Sequence, residues 1–255
     1  MPRQSIDINA RYYRRFTNPG VERLHTNFNY ATVPQNLPLS QTALVCLDCW
    51  DKDNVNDMWQ RDEKVMLDKI VPLIKTCREA GLQLIHAPSP EIARRDQNWV
   101  NLLGDEKPAP IYPNSPVWPP PDQWPTYQPP HEPEWQKLAW VELHETSFHP
   151  LVKPINDESV VANGEELHRL CAKRGIIHLL YVGFHTPGCM TLRDYAPTPM
   201  KQRGYHCILL RDCTNGFERF DTVESQELMK SFITYFEMIG IYTITSDELA
   251  HALHS

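Results

Sequence analysis

The sequence has no run of about 20 apolar residues, the length needed to span a bilayer, and its opening Met-Pro-Arg-Gln-Ser does not lead into the apolar stretch of about 7–15 residues that marks a secretory leader. No membrane partner and a cytoplasmic location are therefore expected. Clustered basic residues are also scarce. The formal charge is -7, and phosphate backbones are bound by grouped Lys and Arg, so no nucleic-acid partner is expected. Only Arg11, Arg14 and Arg15 lie close together, and they read as a solvated or contact-forming arm. A disulfide framework is missing too. Seven cysteines are scattered without regular spacing through 255 residues, which predicts reduced thiols. Cys46 and Cys49 form a Cys-x-x-Cys, but on a strand residues three apart point to opposite faces, which argues against a metal or redox pair.

What is present is the composition of a globular protein, 41% hydrophobic and 22% charged. A chain of this length suits one α/β domain spanning 1–255. Residues 1–40 are polar and aromatic, with no sustained period, and read as an arm on the body or on a second subunit. Many of the 23 prolines crowd into about 107–133. Because proline fixes φ and lacks a donor, that segment is either a surface excursion or, given Trp118 and Trp124, a lid or subunit-contact loop.

Strand-like apolar runs fall at about 42–48, 82–87, 159–161, 176–183, 205–211 and 241–244. Helical spacing marks about 62–80, ending at Gly81, and a helix from Asn163 or Gly164 to Arg174 that stops at Gly175. Further helices are expected from Gly188 and over 222–238. This alternation predicts a three-layer α/β/α fold around a mostly parallel six-stranded, Rossmann-like sheet, with the site at the carboxyl ends of its strands.

Two residues stand at such ends. Asp48 follows an apolar run, where an ionisable group needs a task or a partner, although it can equally brace the loop at 50–54. Cys189 lies six residues beyond Gly183 at the expected start of a helix. There the dipole lowers a thiol's pKa, and the alternative is a small buried hydrophobe. The remaining cysteines lie in strand runs or on helical faces and read as core, with Cys213 open.

The segments Tyr181-Val182-Gly183-Phe184-His185-Thr186-Pro187-Gly188-Cys189, Arg203-Gly204-Tyr205 and Leu210-Arg211-Asp212-Cys213-Thr214, with Leu167 to Ile176 before them and Asp48 on the first strand, resemble the isochorismatase-like cysteine hydrolases. The resemblance covers about 42–245. It implies a triad of Cys189, Asp48 and a lysine, which by position is Lys153, with Lys137 as the fallback. It also implies a cis peptide at Phe184–His185 and an oxyanion hole from the His185 and Cys189 N–H groups. The reaction implied is cleavage of an amide, carbamoyl or ureido C–N bond in a small molecule through a thioester, by a homo-oligomer (dimer or tetramer) that needs no cofactor.

The chain departs from nicotinamidase-type relatives in lacking an Asp-x-His pair after the second strand, so no metal is expected there. Trp50 replaces a common Gln, and His86 and Thr186 are further candidates for the pocket lining. Pro197 and Pro199 are expected to break or kink the helix after Cys189. Two other readings remain beside the amidohydrolase: a catalytically silent relative acting in assembly or binding, and a redox-responsive thiol protein.

Overall fold

The computed structural model describes residues 4–53, 55–106 and 145–254. The proline-rich segment and Lys137 lie outside them. Six strands run parallel, as the alternating pattern predicts: β3 (Thr42–Leu47), β4 (Gln83–Ala87), β5 (Ser159–Val160), β6 (His178–Gly183), β7 (His206–Leu210) and β8 (Tyr242–Ile244). The sheet has eight strands rather than six. β1 (Ser5–Arg14) and β2 (Asn29–Pro38) form an antiparallel pair ten residues long, and β1 joins β8 through Arg11 and Thr243. The order is β2-β1-β8-β7-β6-β3-β4-β5.

Residues 5–14 and 29–38 are thus strands of the sheet rather than parts of an arm without period. Ile6, Ile8 and Ala10 alternate into the core, the period-2 signature of a half-buried strand, before Tyr12 and Tyr13 blur it. Pro34 and Pro38 are tolerated because β2 is an edge strand. Arg11 is not simply solvated: its Nε donates to the buried Glu237 at 2.7 Å, and its guanidinium lies 4.4 Å from the Tyr30 ring centroid.

The central strands feed two cores, one on each face. On β3, Leu44 and Cys46 face one side and Ala43, Val45 and Leu47 the other. The first core is closed by α1 (Asn56–Val65), its continuation α2 (Val71–Glu79) and α8 (Ser246–His254). A π-helical stretch, Met66–Ile70, joins α1 to α2 just ahead of Pro72, whose missing N–H interrupts the regular ladder. The second core is closed by α4 (Gly164–Arg174), α6 (Pro197–Gln202) and α7 (Glu227–Met238). α4 has the expected ends: the Asn163 side chain accepts from the Glu166 N–H, and Gly175 stops the helix at φ 69°. One-turn helices α3 (Pro90–Ala93) and α5 (Cys189–Leu192) follow β4 and β6. Among the described residues, no helix is long and apolar enough to cross a membrane.

At the amino ends of β6 and β7, His178 and His206 meet with their Nδ1 atoms 3.0 Å apart. Burial, and then the neighbouring His178, hold the His206 pKa down to about 4. The unfolded chain takes up this proton near pH 6.5 and the folded chain only near 4, so the fold loses stability as pH falls across that window. We expect the thermal midpoint to drop between pH 6.5 and 4, and His206→Gln to flatten that drop. An equally steep drop in the variant would show that other groups set it.

Candidate active site

β3 lies between β4 and β6, so the chain leaves this point of the sheet in both directions, and the carboxyl ends of β3 and β6 flank the resulting crevice. Asp48 ends β3 with φ 47°, a left-handed conformation that a residue other than glycine adopts at a cost. Its N–H donates to the Ala87 carbonyl at 3.1 Å, which ties the turn to the end of β4. β6 ends in Gly183 at φ 117°, where a Cβ would meet the Leu47 carbonyl oxygen at 1.8 Å. Only glycine lets the two strand ends come this close. The chain then runs through a cis peptide at Phe184–His185 and a second at Thr186–Pro187 to Cys189.

The Asp48 carboxylate is fully buried and has three neighbours. The Ser89 hydroxyl donates to Oδ1 and Arg193 Nε donates to Oδ2, both at 3.3 Å, and the Cys189 thiol lies against it. Arg193 also donates through Nη2 to Ser89 Oγ at 2.6 Å, closing a ring of Asp48, Arg193 and Ser89. Behind it, the buried Tyr195 hydroxyl donates to the Pro88 carbonyl at 2.7 Å. Burial raises the Asp48 pKa, against the pull of Arg193 and of its hydrogen-bond donors. Burial also pushes the Cys189 thiol well above its usual value, and the Asp48 carboxylate pushes the same way. Burial works against the charge on Arg193, but Asp48 together with the Tyr195 and Cys189 side chains raises its pKa on balance.

Three sequence expectations change here. The helix beginning at Cys189 is a single turn, and the thiol is held up by burial and a carboxylate rather than lowered by a helix dipole. The break comes at Arg193, ahead of Pro197 and Pro199, which sit in the first turn of α6. Extended backbone at Arg193 is what carries its side chain back to Asp48. Lys153 is not brought to the pair. It is exposed, its carbonyl accepts from Arg78 Nη2 at 3.2 Å, and its side chain has no ion pair or hydrogen bond among the described residues. The cation on Asp48 is Arg193.

The remaining candidates are also engaged. His86 is buried, its Nε2 paired with Glu158 Oε2 at 2.9 Å and its ring edge-on to Phe148. Glu158 in turn takes both Arg78 Nε and Nη2. Thr186 is buried, with its hydroxyl 3.0 Å from Thr214 Oγ1 and its N–H donating to the Asn215 carbonyl at 2.7 Å. Trp50 is half-buried, 5.7 Å from the His185 ring between centroids, and its buried Nε1 has no partner among the described residues. Cys49 enters the same core as Cys46, because the turn at Asp48 ends the strand alternation between them. Every cysteine is unpaired, and Cys189 alone is not fully buried.

Two features of the crevice gave little signal in the sequence. The first is Arg193, which only the helix break reveals. The second is a buried cluster around His185, whose Nε2 lies 2.7 Å from Asp62 Oδ2, with Asn215 Nδ2 donating to Asp62 Oδ1 at 2.8 Å. Donor atoms of Asp53, Asp62 and His185 all lie within 4.8 Å of one another, and these are the described residues able to approach a metal ion together. The His185 and Cys189 N–H groups donate to no other group among the described residues.

The ring around Asp48 gives a direct comparison of two cations. We expect Arg193→Ala to cost about 3 kcal/mol in chemical denaturation, since it strands a buried carboxylate. Lys153→Ala should stay within about 0.5 kcal/mol of the parent, as exposed substitutions do. The reverse order would return the lysine to the site.

The fold on which this crevice sits is found in solved structures. A cysteine hydrolase from Pseudomonas syringae pv. phaseolicola superposes with a TM-score of 0.57 at 13% identity, over 86% of this chain and 94% of that one. An isochorismatase from Pseudomonas putida superposes with a TM-score of 0.50 at 14% identity, over 82% and 90% of the two chains. The sequence matches no protein-family model and no curated protein. At these identities the likeness is one of fold: the chain has the isochorismatase-like α/β fold.

Proposed function

We propose that this chain, built on the isochorismatase-like fold, is a cysteine hydrolase that cleaves a C–N bond in a small amide, carbamoyl or ureido compound. The observation that carries the reading is the Cys189 thiol set against a fully buried Asp48 carboxylate at the carboxyl ends of neighbouring parallel strands. The two fold neighbours, a cysteine hydrolase and an isochorismatase, support hydrolysis in general.

In this reading Asp48 takes the thiol proton while Cys189 sulfur bonds to the substrate carbonyl carbon. Burial makes the carboxylate a better base, because its proton affinity is raised toward the thiol's. The tetrahedral oxyanion is held by the His185 and Cys189 N–H groups. The C–N bond then breaks, the proton on Asp48 passes to the leaving nitrogen, and a thioester remains. Water, deprotonated by Asp48, adds to the thioester and releases the acid and the thiol. Arg193 does here what the resemblance assigns to Lys153: it keeps Asp48 ionised between proton transfers and offers its outer N–H groups to the substrate. The active unit is proposed to be a homo-oligomer in the cytoplasm that uses no cofactor.

The exposed Lys153 side chain favours a second reading, a catalytically silent relative that acts by binding or assembly. One experiment separates them. The protein is incubated with a panel of small primary amides, carbamoyl and ureido compounds, followed by ammonia release and intact-protein mass. The hydrolase reading predicts turnover or an acyl adduct on Cys189 that Cys189→Ala abolishes. A panel with neither supports the silent relative.

A further inference from the structure

Asp62 is one of only two buried residues on α1, the other being Met58. A carboxylate on the core face of a helix is costly unless it is fully engaged. Both of its oxygens are used, one by Asn215 Nδ2 at 2.8 Å and one by His185 Nε2 at 2.7 Å. The His185 ring is walled by Trp50 and by Phe217, whose centroid lies 4.9 Å away. The His185 carbonyl accepts the Met190 N–H at 3.1 Å, and the next residue's N–H is held by the carbonyl of Asn215. Residue 185 is therefore fixed through its ring and its carbonyl. The backbone group left over is its N–H, the one that the proposed mechanism needs.

We propose that Asp62 is a positioning residue: acting through the His185 ring, it holds the His185 N–H where the developing oxyanion forms. This rests on the reading of Cys189 as nucleophile. Asn215 completes the device by orienting the carboxylate with its side chain and the Thr186 N–H with its carbonyl.

Two probes of Cys189 distinguish positioning from a general effect. With p-nitrophenyl acetate the sulfur attacks a carbonyl carbon, an oxyanion forms, and p-nitrophenolate leaves. With iodoacetamide the sulfur displaces iodide from a saturated carbon, and no oxyanion forms. Asp62→Asn is expected to slow the acylation burst by roughly 10- to 100-fold, less than the roughly 100- to 1,000-fold cost of losing an oxyanion donor outright because the N–H is misplaced rather than removed, while alkylation stays within about twofold.

If Asp62→Asn does not fold, two variants at residue 185 carry the test. His185→Gln, which keeps a donor toward Asp62, should retain most of the burst, and His185→Phe should lose it. The proposal is overturned if Asp62→Asn acylates like the parent, if acylation and alkylation fall together, or if His185→Phe equals His185→Gln. It is also overturned if added zinc binds stoichiometrically through Asp53, Asp62 and His185 and the burst depends on it. A parent protein with no burst that Cys189→Ala removes would instead sink the hydrolase reading itself.

Discussion

The site is organised around one carboxylate that water does not reach. Asp48 at the end of β3 is fully buried, and an isolated charge there would be neutralised or expelled. It persists as a functional group because Arg193 and Ser89 satisfy it, and Arg193 can do so only because the helix after Cys189 stops after one turn. The short helix, the extended backbone at Arg193 and the restart at Pro197 are thus parts of a single solution. Burial and the same carboxylate both hold the proton on the Cys189 thiol.

Backbone conformation brings these groups together. Gly183 lets the ends of β3 and β6 touch. Gly216 does the same on the other side of the loop, where a Cβ would meet the Thr186 carbonyl oxygen at 1.7 Å. The loop from Phe184 to Cys189 is gripped between these two close approaches, with Asp62 and Asn215 behind it. Catalytic precision on such a scaffold comes from supporting side chains as much as from the reacting ones.

Much of this was legible in the sequence, and the reasons are specific. Asp48 stands out because it directly follows an apolar strand, and Cys189 because it opens a helix six residues beyond another, positions that signal the working end of a parallel sheet. The ends of α4 were readable from Asn163 and Gly175, whose conformations are intrinsic. β1 leaves little signal although Ile6, Ile8 and Ala10 alternate, because three buried positions followed by aromatics make too short a period. Family likeness assigns the triad cation to Lys153, but that residue is exposed at a bend. Arg193, Asp62 and Asn215 act through contacts across 145 and 153 residues of sequence, from Asp48 to Arg193 and from Asp62 to Asn215. No local pattern encodes such distances.

The proposed chemistry depends on the coupling of Asp48 to Cys189, and the pH dependence of Cys189 alkylation by iodoacetamide reads it directly. The parent protein should react with a midpoint above the ordinary thiol value of about 8.5, and Asp48→Asn should bring that midpoint down as the carboxylate's repulsion is lost. A parent midpoint below 8.5, or one that Asp48→Asn leaves in place, would contradict it.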